Sequence, residues 1–379
     1  MIPVTALDYR RLAARRLPRF LFDYIDGGAG EETSMARNVA DLNAIGLRQR
    51  VMRDVSDVDP STRLAGEPAS MPLVLAPVGL TGMFRRRGEV QGARAARTAG
   101  VPFTTSTGGI CPVEEVNAGS GVPAWFQLYM LRDRDIVLAM LDRARQAGST
   151  TLVFTVDLAV TGKRFRDDRN GMLGGGVRGR LSKAAQLLAR PLWLWDVGLR
   201  GKPHDFGNLR EVVADAGNLD AFKQFLDDQF DPTVTWRDIS WLRTQWPGRL
   251  LIKGVMCPDD ARAALDAGAD GVVVSNHGGR QLEGVSSTVA QLPGIADAVG
   301  SQGEVYMDGG IRSGVDIVKA VALGAVGVLA GRPWVWALAA RGERGVADLL
   351  AVWRQEIEVT LALMGVRRIA ELDPTLVER

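Results

Sequence analysis

Two histidines and two cysteines are all that the 379 residues contain. Cys111 and Cys257 are too few for a disulfide framework and have no metal-ligand spacing, so no metal site is expected and a reducing compartment fits best. Charge of one sign is also missing: 46 basic residues against 44 acidic leave a net +2, which offers no bulk attraction to nucleic acid. No run approaches the ~20 apolar residues of a membrane-crossing helix. The basic opening MIPVTALDYRRLAARRLPRF lacks the apolar core and small-residue cleavage site of a signal peptide. No GxGxxG follows a first strand, which disfavours a nicotinamide cofactor. Together these absences predict a cytoplasmic protein that can still touch a membrane surface.

What is present is a rhythm. Short apolar runs recur at MPLVLAPVG (71–79), VPFTTST (101–107), AWFQLY (124–129), TLVFTVD (151–157), RLLIKG (249–254), GVVVSN (271–276), EVYMDGG (304–310) and GVLAGRP (327–333). Near-continuous apolar strands suit a parallel sheet buried on both faces. Alanine-rich helical segments such as VQGARAARTAG and CPDDARAALDAGAD lie between most of them, starting near polar residues and ending at glycine. Strands alternating with helices predict an α/β fold, a (β/α)8 TIM barrel over about 71–340. A helical segment precedes it and a helical tail follows, so the whole of 1–379 reads as one domain. The rhythm breaks once, after the fourth strand, where an inserted loop runs over about 165–245. Within it RNGMLGGGVRGR reads as mobile, and a long insertion at that end of a barrel strand serves an active site.

Barrel enzymes place their chemistry where strands run into the following loops. The polar residues sit there: Gln127 and Tyr129, Thr155 and Asp157, Lys253, then Ser275, Asn276 and His277. Residues two apart on a strand share a face, so these groups converge on one mouth. His277 can accept a proton near neutral pH, and Arg280 offers a planar fork suited to a carboxylate. Gly278 and Gly279 leave room for a ring to approach. A base and a carboxylate clamp this close suggest removal of a proton or hydride beside an acid group, with Asp157 orienting the imidazole. The competing reading of His277 is a satisfied core histidine. His204, in GKPHDFGN, reads as a loop anchor.

DGGIRSG (308–314) and AGRP (330–333) follow the last two strands, where barrels bind phosphoryl groups, and Arg312 and Arg332 add charge to their glycine amides. Two such turns suit one terminal phosphate, hence FMN held noncovalently. Lys253 would then neutralise charge developing on a reduced flavin ring.

SNHGGRQL, together with FDYIDGGA, MPLVLAPVGL, RRGEVQGARAA, WFQLYMLRDRD, LVFTVD, KPHDFGN, FDPTVTW and DGGIRSG, resembles the FMN-dependent L-2-hydroxy acid dehydrogenases and oxidases over nearly the whole chain. Within that family the resemblance is nearest to the bacterial respiratory L-lactate dehydrogenases. It implies that His277 is the catalytic base and Asp157 its partner, that Arg164 and Arg280 hold the substrate carboxylate, and that Tyr24 and Tyr129 complete the site. The flavin contacts implied are Pro77, Val78, Gly79, Ser106, Gln127, Thr155, Lys253 and Ser275, and those to the ribityl chain and phosphate are Asp308, Gly310, Arg312, Gly331 and Arg332. A homotetramer and electron delivery to a membrane quinone are also implied. So is oxidation of a small 2-hydroxy acid, L-lactate to pyruvate, with electrons passed to a quinone or other respiratory acceptor. An L-mandelate dehydrogenase or an oxygen-using oxidase stays open as the alternative. Gly79 resembles dehydrogenases, since the family's oxidases typically carry Ala there, while Gly108 leaves room for an aryl substrate. A non-catalytic flavin- or phosphate-binding barrel would have lost one of His277, Asp157, Arg164 or Arg280, and all are present.

Residues 178–202, RGRLSKAAQLLARPLWLWDVGLRGK, combine cations with Leu187, Leu188, Leu192, Trp193, Leu194 and Trp195. That composition suits peripheral contact with the inner face of the cell membrane, the alternative being a cover packed on the barrel.

Overall fold

The eight apolar runs become eight strands: β1 (Leu73–Leu75), β2 (Thr104–Ser106), β3 (Trp125–Leu128), β4 (Thr151–Thr155), β5 (Arg249–Val255), β6 (Gly271–Val274), β7 (Glu304–Asp308) and β8 (Gly327–Ala330). The computed structural model describes residues 2–170, 176–210 and 228–378. All neighbouring strands are parallel, in the order β1-β8-β7-β6-β5-β4-β3-β2. A bridge from Leu75 to Phe103, with the Leu75 amide donating to the Pro102 carbonyl at 3.0 Å, closes the ring. The protein is a (β/α)8 barrel.

Alternation along each strand divides the core in two. Val153, Leu251, Val273, Tyr306 and Leu329 pack with one another inside the barrel. Leu152, Phe154, Leu250, Ile252, Val272 and Val274 pack outward with the helices. Burial of such a side chain stabilises the fold by about 1.5–3 kcal/mol, which explains why the runs are apolar on both faces. A hairpin of Thr62–Leu64 and Glu67–Ala69 closes the amino end: Leu64, Ala65 and Ala69 join the inner cluster, and the Ala65 amide donates to the Tyr306 hydroxyl at 2.7 Å.

Three helices precede the barrel: α1 (Ala6–Arg16), α2 (Arg19–Asp26) and α3 (Thr33–Ala44). The segment after α2 runs across the carboxyl end, where the Ala29 amide donates to the Gly279 carbonyl at 2.8 Å and the Gly30 amide to the Lys163 carbonyl at 2.9 Å. The stretch read as a single inserted loop differs in two ways. Trp236–Gln245, with Ile239 and Leu242 buried, is the barrel helix that leads back to β5. Upstream, helices Phe165–Arg169 and Gly176–Leu188 and the turns Pro191–Trp193 and Leu194–Leu199 form the insertion. The mobility expected of RNGMLGGGVRGR falls largely on 171–175, outside the described residues, as does 211–227.

Trp193 corrects the interfacial reading of this segment. It is buried, and its indole N–H donates to the Met83 carbonyl at 2.8 Å, so it fastens the insertion to the barrel. Arg190 likewise donates to the Leu17 carbonyl at 3.0 Å, while Leu187 and Leu194 pack against the core. Trp195, Leu188 and Leu192 remain exposed, joined by Leu181 and Leu199. No helix among the described residues is long and apolar enough to cross a membrane.

Candidate active site

At the carboxyl end of β6 the chain turns sharply. His277 itself is left-handed (φ 56°), followed by Gly278 (φ 64°) and Gly279 (φ 74°). The turn itself requires both glycines, whatever room they also leave for a ring. A Cβ on Gly278 would stand 2.7 Å from Arg332 Nη1, and one on Gly279 2.5 Å from the Met35 backbone nitrogen of α3. The turn projects the imidazole toward the loop after β4, where Nδ1 meets Asp157 Oδ1 at 2.9 Å. An ionised carboxylate only accepts, so Nδ1 carries the proton and Nε2 is left as the basic nitrogen.

Gln281, from the same motif, ties the two loops together. Its Nε2 donates to the Asp157 carbonyl at 2.8 Å, and its Oε1 accepts from the Gly162 amide at 3.1 Å. Gly254 (φ 114°) sits at a register shift in β5, and a Cβ there would meet the Asp157 Cβ at 2.7 Å. That glycine lets Asp157 approach the strand end that delivers Lys253. Lys253 Nζ bonds Asp308 Oδ2 at 3.0 Å and Ser275 Oγ at 2.9 Å, and the Ser275 hydroxyl also accepts from the His277 amide at 3.1 Å.

Electrostatics set the protonation states. Burial weakens the hold of His277 on a proton; Asp157 opposes this, and Lys253 and Arg280 reinforce it, so its pKa lies below the ordinary value. Burial works against charge on Asp157 too, but His277 and Lys253 outweigh it and hold the carboxyl below the usual range. Lys253 keeps its charge, because Asp308 and Asp157 more than offset its burial. At neutral pH the pair is therefore a free-base imidazole against a carboxylate.

A cavity of 640 Å³ opens beside this pair. Tyr24, Tyr129, Arg164, Arg280 and His277 line it, as do Pro77, Val78, Gly79, Ser106, Thr155 and Lys253, and Asp308, Gly310, Arg312, Gly331 and Arg332. Asp157, Gln127 and Ser275 stand behind the lining, bonded to residues that form it. His204 lies apart, its Nε2 donating to the Val197 carbonyl at 2.8 Å, as a loop anchor should.

Arg164 and Arg280 face the same ring: their guanidinium carbons stand 5.7 and 5.0 Å from the centre of Tyr24. Burial and the neighbouring Arg164 pull Arg280 down to about 10, which leaves it charged at neutral pH. Two cations brought this close favour an anion between them. Arg280 is not a free fork, however, since its Nη1 donates to the carbonyls of Tyr24 (2.6 Å) and Gly27 (2.9 Å). Arg332 is more committed still, donating to Asp26 O, Gly278 O and Gly27 O at 3.2, 2.9 and 2.8 Å. Three of its five N–H groups thereby fasten the α2–α3 linker and the turn after β6, and the remaining two are left for the cavity it lines.

Other groups were not singled out from sequence. Phe206, Phe230, Leu158 and Asp167 also line the cavity, and Phe230 meets Tyr129 edge-on at 5.5 Å. KPHDFGN and FDPTVTW contain the two phenylalanines, but nothing in their spacing indicates a shared cavity.

Buried polar atoms at or beside the cavity without a partner among the described residues include Gln127 Nε2, Thr155 Oγ1, Asp157 Oδ2, Arg164 Nε and Asp308 Oδ1. An uncompensated buried polar atom is costly, so a ring that presents both donors and acceptors, carrying a polyol chain and an anion, fits this lining. The family model described as FMN-dependent dehydrogenase matches residues 13–379. The chain belongs to this family. Its cofactor is FMN, and the orphaned atoms and arginine-bearing turns agree with that.

Similarity to relatives is high. The L-lactate dehydrogenase of Caulobacter vibrioides (strain NA1000 / CB15N) is 55% identical over 376 residues, 99% of this chain and 98% of that one. That of Stenotrophomonas maltophilia (strain R551-3) is 53% identical over 372 residues, 98% of each. Among solved structures, the monotopic membrane protein (S)-mandelate dehydrogenase superposes with a TM-score of 0.93 at 35% identity, covering 100% of both chains. A mandelate oxidase gives 0.83 at 38% identity, covering 97% of this chain and 96% of its own.

Proposed function

We propose that this FMN-dependent dehydrogenase oxidises L-lactate to pyruvate and passes the electrons to a quinone or other respiratory acceptor. The observation that carries the reading is the His277–Asp157 contact at 2.9 Å, beside a cavity that Arg164 and Arg280 also line. In this reading Arg164 and Arg280 hold the substrate carboxylate, with Tyr24 and Tyr129 completing the pocket. His277 Nε2 takes the proton that leaves the substrate, and Asp157 stabilises the imidazolium that results. Lys253, held charged by Asp308 and Asp157, would offset negative charge that develops beside it in the cavity. Bound FMN supplies the two-electron acceptor for the α-carbon. Pro77, Val78, Gly79, Ser106, Gln127, Thr155 and Ser275 would hold its ring, and Asp308, Gly310, Arg312, Gly331 and Arg332 its chain and phosphate.

Mandelate is the second reading, supported by Gly79 and Gly108, which leave backbone only on the cavity wall, and by the likeness to the mandelate dehydrogenase. Sequence identity of 50–55% to lactate dehydrogenases favours lactate. The exposed Leu188, Leu192 and Trp195, with the monotopic neighbour, support peripheral membrane contact within 178–202, on the inner face of the cell membrane, and the family resemblance supports a homotetramer. Purified protein should be yellow and release FMN on denaturation. Steady-state assays over lactate, glycolate and mandelate, with a quinone analogue or oxygen, decide the rest: mandelate turned over faster than lactate, or oxygen preferred, refutes the proposal.

A further inference from the structure

A second cavity, of 830 Å³, shares no lining residue with the first. Five arginines face it, Arg85, Arg86, Arg87, Arg94 and Arg200, against Glu115, Asp196 and Glu343. The carboxylates are already engaged. Asp196 is held at 3.2 Å by both Arg16 and Arg85, Glu115 pairs with Arg87, and Arg94 approaches Glu343 at 3.9 Å. Among the described residues Arg86 and Arg200 form no ion pair, and the Nη1 atoms of Arg85 and Arg87 are buried with no acceptor. Buried charged donors without acceptors are costly, and a tetrahedral oxyanion is the group that guanidinium forks match. Burial, with Arg16 close by, already depresses the pKa of Arg85. An added anion would relieve that repulsion.

The cavity also adjoins the exposed part of the insertion. Arg200 lies over the ring of Trp195, 5.9 Å from its centre, and Trp195 and Leu199 are 59% and 58% exposed on the same turn. A cation, an indole and leucines at one edge are the set that meets a lipid headgroup region. We propose that this arginine cavity binds a phosphate oxyanion, delivered by an anionic phospholipid whose acyl chains lie along Trp195 and Leu199. The lipid source rests on the membrane reading above; the oxyanion site rests on the cavity alone.

FMN-saturated protein, its flavin phosphate site filled, is titrated calorimetrically with dihexanoyl phosphatidylglycerol below its micelle-forming concentration. Inorganic phosphate and dihexanoyl phosphatidylcholine are titrated in parallel. Saturable binding of the anionic lipid is expected, with the other two weaker by about tenfold or more. The double variant Arg86→Gln with Arg200→Gln should weaken it by at least about tenfold, the worth of a single charge-assisted hydrogen bond, with dye-linked turnover unchanged. The corresponding double lysine variant should retain most of it. No saturable binding, or binding indifferent to the glutamine variant, overturns the site; inorganic phosphate binding as tightly as the lipid overturns the lipid assignment. Because the lipid is dispersed singly, failure of the protein to sediment with vesicles counts against the membrane reading and is separable from either result.

Discussion

Replacing Asp157 by Asn keeps the shape of the side chain and removes its charge, which makes it a sharper probe of the site than deleting the base. The carboxylate oxygen stands 2.9 Å from His277 Nδ1, and its other oxygen is buried without a hydrogen-bond partner, so the imidazole is the side chain this carboxylate bonds. A hydrogen bond to a charged group contributes about 1.5–3 kcal/mol, and this one gains its full strength only when the imidazole becomes an imidazolium. Losing it predicts a fall in kcat/KM of about 10- to 150-fold, at nearly unchanged FMN content. The pH profile adds a sign. The pKa of His277 lies below 6.5 mainly through burial, and Asp157 is the group that raises it. The wild-type acid limb therefore lies below that value, with activity lost as pH falls through the lowered pKa. In Asp157→Asn the limb should move further down, because the raising influence is gone while Lys253 and Arg280 still disfavour the proton. Steady-state rates with L-lactate and a soluble dye between pH 4.5 and about 8 measure both effects. A variant with wild-type kcat/KM, or an acid limb displaced upward, refutes the pairing as a catalytic one.

His277→Gln should lose about 10²–10⁴-fold in turnover and still purify yellow, since the cofactor lining is untouched; near-normal turnover would remove His277 as the base. Gly79→Ala should be tolerated structurally, because a Cβ there meets Gly108 O at 3.4 Å and the Tyr24 hydroxyl at 3.6 Å, ordinary contacts. In stopped-flow reoxidation the wild type should react slowly with oxygen and faster with a quinone analogue, and the alanine variant should gain on oxygen; no change would detach residue 79 from acceptor choice. Trp195→Ser should weaken co-sedimentation with anionic vesicles, most clearly at low salt, and leave thermal stability intact. Trp193→Ser should instead destabilise the fold by about 3–5 kcal/mol, as loss of a buried aromatic does, and denaturant unfolding separates the two outcomes.

Burial on both faces made the strands legible, since each needs apolar residues at consecutive positions, and the run GVVVSN announces both β6 and the end from which His277 projects. The motif around His277 and the two glycine-arginine turns were legible because each is local in the chain, and the structure brings all three to one cavity. What was not legible depends on approach in space. Trp193 and Trp195 are two residues apart with the same chemistry, and only the position of the Met83 carbonyl decides that one is an anchor and the other faces solvent. Arg332 reads only as a phosphate ligand, and nothing in AGRP shows that the carbonyls of Asp26, Gly27 and Gly278 also take three of its N–H groups. Gln281 stood inside the quoted motif, but its bond to the Asp157 carbonyl spans 124 positions and has no periodicity to betray it. The membrane reading suffered from composition alone, which counts leucines without saying which are packed.

The clamp on the linker after α2 has a bearing on when the enzyme can become active during its own synthesis. Arg280 reaches the Tyr24 carbonyl across 256 positions, and Arg332 reaches that of Asp26 across 306. The segment that carries Tyr24 is made well before the two guanidinium groups that hold it and the linker beyond it. Contacts of such separation form late, after the intervening chain has paid its loop-closure entropy. A nascent chain that ends before Arg280 has neither guanidinium, and the Tyr24 carbonyl then lacks the donor that holds it beside the cavity. Substrate binding thus waits for the turn after β6, whose Arg280 and Gly279 fasten the segment after α2 across the carboxyl end of the barrel.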